Sequence, residues 1–86
     1  MYIVYAIHNA ENDKIYIGQT KDLSERLRMH NEHTLGGYTS RFRGEWTLVY
    51  KEESLNRKQA LFREKQLKSF RGREFIRKHI KNHFEN

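Results

Sequence analysis

A carboxylate on the apolar side of a helix must be paired, protonated or bound to a cation, because burying it alone costs several kcal/mol. Glu64 is such a carboxylate. At 100° per residue it lies within about 60° of Ala60, Leu61 and Leu67 on a helical wheel. An i,i+4 pair with Lys68, worth about 0.3–0.5 kcal/mol, is the plainer way to satisfy it. Arg26 and His30 make a second group, i,i+4 neighbours flanking Leu23 and Leu27. An arginine stays ionised and forks onto two phosphate oxygens, and a histidine beside it can donate or carry a proton. A solvated helix flank has the same spacing. Tyr5 and Tyr16 stand in two apolar runs, where tyrosines usually fill a core and find one hydrogen-bond partner. Whether their hydroxyls share a face depends on a strand register that the sequence leaves open. His79 and His83 share an i,i+4 spacing without the glutamate of an H-E-x-x-H motif, and neither a Walker loop nor G-x-S-x-G occurs. Their absence argues against P-loop hydrolysis and α/β-hydrolase chemistry.

Short elements must position these residues. Tyr2 to Ile7 and Ile15 to Ile17 are rich in β-branched and aromatic residues around a polar link, which predicts a hairpin. Asp22-Leu23-Ser24-Glu25 reads as a capping box opening a helix from about Leu23 to Asn31. Residues 33–45, with Gly36, Gly37 and Gly44, read as a loop, and Trp46 to Tyr50 as a third strand. A helix capped by Asn56, with Gln59 as the reciprocal partner, is predicted to run to about Phe70, where Gly72 breaks it. A last helix follows from about Arg73 to His83. The order is β-β-α-β-α-α, an α+β fold with a small three-stranded antiparallel sheet flanked by helices, in one domain spanning 1–86.

The 86 residues include 17 Lys or Arg against 11 Asp or Glu, a formal net charge of +6. The excess is one-sided. Residues 1–53 carry seven basic and eight acidic side chains, and residues 54–86 carry ten and three. Such a segment is the footprint of a phosphate-backbone contact surface, the plainer account being a solvated lysine-rich face. It lacks the broad apolar face that a membrane-surface helix needs. The apolar run Tyr2 to Ile7 has six residues, against about 20 needed to span a bilayer. No signal peptide is expected. The absence of cysteine excludes disulfides and thiol nucleophiles and suits a reducing cytoplasm. Mean hydropathy is low at −1.02. Eleven aromatic residues nevertheless supply apolar area that disordered chains lack.

Ile3-Val4-Tyr5, then Tyr16-Ile17-Gly18 eleven residues on from Tyr5, then Thr20-Lys21-Asp22-Leu23, Arg26-Leu27 and His30-Asn31 follow one another as motifs of the GIY-YIG nuclease superfamily do. Ala60-Leu61-Phe62-Arg63-Glu64-Lys65-Gln66-Leu67-Lys68 resembles the helix that bears that family's metal-binding glutamate. The likeness covers about residues 2–80. It is strongest to the small standalone branch, similar to the N-terminal nuclease domain of the excision-repair subunit UvrC. Ile3 replaces the first glycine of the name motif, Gln19 stands where some members have lysine, and Asn82 is only a distant counterpart of a late asparagine.

The resemblance implies a metal-dependent endonuclease cutting phosphodiester bonds, DNA before RNA, in a DNA-repair setting. Glu64 would hold a single Mg²⁺ or Mn²⁺, a hard cation that takes oxygen ligands and retains waters. Tyr5 and Tyr16 would position or deprotonate the attacking water, Arg26 would stabilise the phosphate, and His30 would assist proton transfer or phosphate contact. Backbone contacts are expected from Lys65, Lys68, Arg71 and Arg73, and from Arg41 and Arg43 in the loop. A domain of this size offers about 600–1,000 Å² to nucleic acid. Specificity is therefore expected from substrate structure or a protein partner, with the domain itself a monomer. The alternative is a nucleic-acid-binding module that keeps the fold without the chemistry.

Overall fold

The computed structural model describes the backbone of residues 1–85 and the side chains of residues 1–82, so the His83 side chain lies outside it. β1 (Tyr2–Asn9) is the central strand, antiparallel to β2 (Lys14–Thr20) on one side and β3 (Trp46–Ser54) on the other. Its apolar run is covered on both faces, as a central strand's must be. Both hairpin strands exceed the expected lengths, β2 reaching Thr20 opposite Ile3 and β1 reaching Asn9, which is buried and bonded at the turn end. Its amide donates to the Arg43 carbonyl at 2.8 Å, and its Oδ1 accepts from the Asn12 N–H at 3.1 Å.

Strand alternation divides the core in two. Val4, Ala6 and Ile17 face α2 (Arg57–Leu67) and α3 (Phe70–Glu85), meeting Ala60, Leu67 and Ile76. Tyr5, Ile7 and Trp46 face the other way, with Tyr16, Phe42 and the Leu23 and Leu27 side chains of α1 (Leu23–Asn31). The starts of α1 and α2 follow the sequence, whereas α3 begins at Phe70, three residues before the expected Arg73. The Asp22 carboxylate accepts from the Glu25 N–H at 3.1 Å and the Asn56 side chain from the Gln59 N–H at 2.9 Å. The reciprocal halves differ: Glu25 turns to Arg28, and Gln59 accepts from the Leu55 N–H instead.

Gly72 does not break a helix. The break falls at Lys68 and Ser69, and Gly72 lies in the first turn of α3. Ser69 caps that turn by accepting from the Gly72 N–H at 3.2 Å. The glycine is required by close approach, since a Cβ there would sit 2.4 Å from both the Leu67 Cα and the Gln66 carbonyl oxygen. Among the described residues no helix is long and apolar enough to cross a membrane.

Candidate active site

The β1–β2 register pairs Tyr5 with Gly18 and Ile7 with Tyr16, so both tyrosines project from one face of the sheet. Their rings lie 6.3 Å apart between centroids. Gly18 makes the space between them: a Cβ there would stand 2.9 Å from the Tyr5 hydroxyl and 3.0 Å from the Tyr16 ring. Over this face α1 presents His30, whose Nε2 is 2.8 Å from the Tyr5 hydroxyl and whose Nδ1 is 2.9 Å from the Thr39 hydroxyl. The three side chains are buried and continuous. Thr39 opens a single 3-10 turn, Thr39–Arg41, and its carbonyl accepts from the Trp46 indole at 3.3 Å. Asn31 fixes the end of α1 by accepting from the Trp46 N–H at 2.7 Å and donating to the Trp46 carbonyl at 3.1 Å.

Electrostatics bind the remaining residues to this centre. Burial, with Arg26 adding to it, pushes His30 down to about 4, so the imidazole is neutral. Burial also pushes the Tyr5 hydroxyl up; Tyr16 adds to the rise, Arg26 opposes it and Glu64 adds again. Arg26 and Glu64, from helices on opposite faces of the sheet, therefore both act on the Tyr5 oxygen. Glu64 is paired with Lys68, Nζ to Oε2 at 2.8 Å, in the i,i+4 geometry foreseen as the plainer reading. The pair is unequal. The Glu64 side chain is 19% exposed and that of Lys68 49%.

Among the described residues no three His, Asp or Glu gather into an all-protein metal cage. One half-buried carboxylate suits Mg²⁺ or Mn²⁺, which are held through one or two carboxylates and keep several waters.

The expected backbone contacts divide by place. Lys68 and Arg73 line a cavity of about 310 Å³ with Ile15, Tyr16, Ile17 and Tyr38, at the free edge of β2. Arg71 lies elsewhere, on the side of the α2–α3 corner where Phe75 packs edge-on against Tyr50 of β3. Lys65, Arg41 and Arg43 are exposed, and the Arg43 carbonyl is engaged by Asn9 and Asn12.

The profile of the GIY-YIG catalytic domain matches residues 1–78. The chain belongs to the GIY-YIG family. A GIY-YIG domain is a nuclease-type catalytic domain, and GIY-YIG nucleases are in general dependent on a divalent metal. Among solved structures, the solution NMR structure of the UPF0213 protein BH0048 from Bacillus halodurans is similar, at 28% identity over 88% of this chain and 82% of its own, with a TM-score of 0.52. No curated protein matches.

Departures from the GIY-YIG pattern have structural readings. Ile3 is an ordinary paired strand residue, opposite Thr20 and Glu53, so no glycine is needed there. Gln19 alternates onto the Ile17 face, away from Tyr16, with its Oε1 buried and unpartnered among the described residues. Sequence reading passed over Thr39, Tyr38, Trp46 and Gly18 as site residues. Gly18, inside a strand and two residues after Tyr16, was the one signal available.

Proposed function

We propose that this GIY-YIG domain is a divalent-metal-dependent endonuclease acting on DNA. The observation that carries the reading is the clustering of Tyr5, Tyr16 and His30 on one face of the sheet, the Tyr5 hydroxyl hydrogen-bonded to His30 and the Tyr16 ring 6.3 Å from that of Tyr5. Hydrolysis joins a water oxygen to phosphorus, breaks the bond to the leaving sugar oxygen and delivers a proton to that oxygen. Tyr16, only partly buried, orients the water. Tyr5, buried and held protonated, transmits the position of His30 and Thr39 to the site and holds its proton toward or away from the imidazole. Arg26, always ionised, neutralises charge growing on the phosphate. Glu64 is the carboxylate that would hold Mg²⁺ or Mn²⁺, and the ion would supply positive charge against the reacting phosphate.

Titration of Mn²⁺ and Mg²⁺ into the protein, followed by backbone amide NMR and run beside Glu64→Gln, tests the site. Signals of Tyr5, Tyr16, Arg26 and Glu64 should broaden or shift in the wild type and stay still in the variant, and DNA cleavage should follow the same division. A metal-indifferent protein that cleaves nothing would overturn the reading. The Lys68 ammonium seated on Glu64 favours that second outcome, a binding module that keeps the fold and the basic segment without chemistry.

A further inference from the structure

The β2-edge cavity that Lys68 and Arg73 line is lined by aromatic rings as well, Tyr16 and Tyr38. Tyr38 is stacked on Tyr16, with centroids 6.3 Å apart and planes 25° from parallel, and is braced by Phe42 at 5.2 Å. Tyr38 is nevertheless 41% exposed, an unusual position for a braced aromatic ring. The backbone turns to put it there. Gly36 and Gly37 have φ of +70° and +73°, and Tyr38 directly precedes Thr39, the partner of His30. An open ring, two cations and an unpaired strand edge thus surround about 310 Å³, near the lower limit of small-ligand sites and far too small for a duplex. Aromatic faces with flanking cations are how proteins hold unpaired nucleotides, since every base has a π-face and every linkage a phosphate. A paired base in a duplex has no free face to offer.

We infer that Tyr38, Lys68 and Arg73 form a subsite for one unpaired nucleotide next to the Tyr5–His30 centre, the base stacking on Tyr38 and its phosphate lying against the two cations. This rests on the nucleic-acid reading of the site. It makes the substrate a DNA strand unpaired beside the point of attack. Tyr38 is then a binding residue. It touches substrate and leaves the water and metal untouched.

The test is binding without metal, in EDTA, of a short DNA strand carrying 2-aminopurine, free or annealed to its complement. The wild type should bind the free strand more tightly and quench its fluorescence. Tyr38→Ala should weaken that binding about 5- to 150-fold, the range of one lost base stack, and abolish quenching. Tyr38→Phe, which keeps the ring, should behave as wild type and guards against a folding artefact. Lys68→Ala and Arg73→Ala should weaken binding and flatten its salt dependence while quenching survives at saturation. Equal affinity for free and annealed strands, or quenching that survives Tyr38→Ala, would overturn the subsite. Metal-free quenching is independent of cleavage. Stacking without cleavage in Mn²⁺ would remove the nuclease reading alone, and cleavage of duplex indifferent to Tyr38→Ala would remove the subsite alone.

Discussion

The Tyr5 hydroxyl and the His30 Nε2 stand 2.8 Å apart with both rings buried, and neither ring carries charge at neutral pH. Such a contact links the folding equilibrium to pH. Unfolded, the imidazole takes a proton below its ordinary value of 6.5; folded, it refuses one until about 4. The stability it contributes is whole above pH 6.5 and is lost as pH falls towards 4, up to about 3 kcal/mol. Thermal melts across that window should fall for the wild type and fall less steeply for His30→Gln. Identical slopes would mean that His30 is charged in the fold.

Glu64→Gln keeps the size and the helix but removes the negative charge. Cleavage should drop at least ~10²-fold, as when one electrostatic stabiliser is deleted from a phosphoryl or acyl site. Affinity for DNA in EDTA should be nearly unchanged. A gel assay beside an anisotropy titration separates the two, and full cleavage by the variant would remove Glu64 from the site.

Lys68 is paired with Glu64, the carboxylate proposed to hold the metal. Lys68→Ala should therefore bind Mn²⁺ about 2- to 5-fold more tightly, the scale of a part-exposed ion pair. Paramagnetic broadening of the Glu64 amide against Mn²⁺ concentration measures this directly. Unchanged affinity would show that the ion pair and the cation do not compete.

Two glycines should respond differently to alanine. At Gly72 the new methyl meets backbone atoms of Leu67 and Gln66 at 2.4 Å, so the α2–α3 corner must open. We expect a loss of about 2 kcal/mol or more, against the usual gain from alanine in a helix. At Gly18 the methyl meets the Tyr5 hydroxyl and the Tyr16 ring, which can shift sideways. Gly18→Ala should cost activity, about 10²-fold for a displacement near 1 Å, with a smaller effect on stability. Calorimetry and initial rates on both variants check the contrast.

Elements and chemistry were legible in the sequence to different depths. Periodicity and caps placed α1 and the start of α2, because Asp22 and Asn56 act locally on N–H groups three residues away. The end of α2 was misread. Glycine is both a helix breaker and the only residue that fits under a crossing backbone, and composition cannot tell these apart at Gly72. The shared face of Tyr5 and Tyr16 needed the register, which the pairing of Tyr5 with Gly18 supplies. Thr39 and Tyr38 were illegible for a deeper reason. Their positions follow from a loop packed across the sheet, a long-range fact with no trace in local spacing.

The sheet has two free edges, and they differ. β3 ends one side with no part in the cavity, so another chain could add a strand there and leave the site open. β2 ends the other side, and its outer rim is the floor between Tyr38 and Arg73. A strand laid along β2 would fill that floor. An extended peptide matched to β2 should therefore compete with whatever occupies the cavity, whereas a strand added along β3 should not.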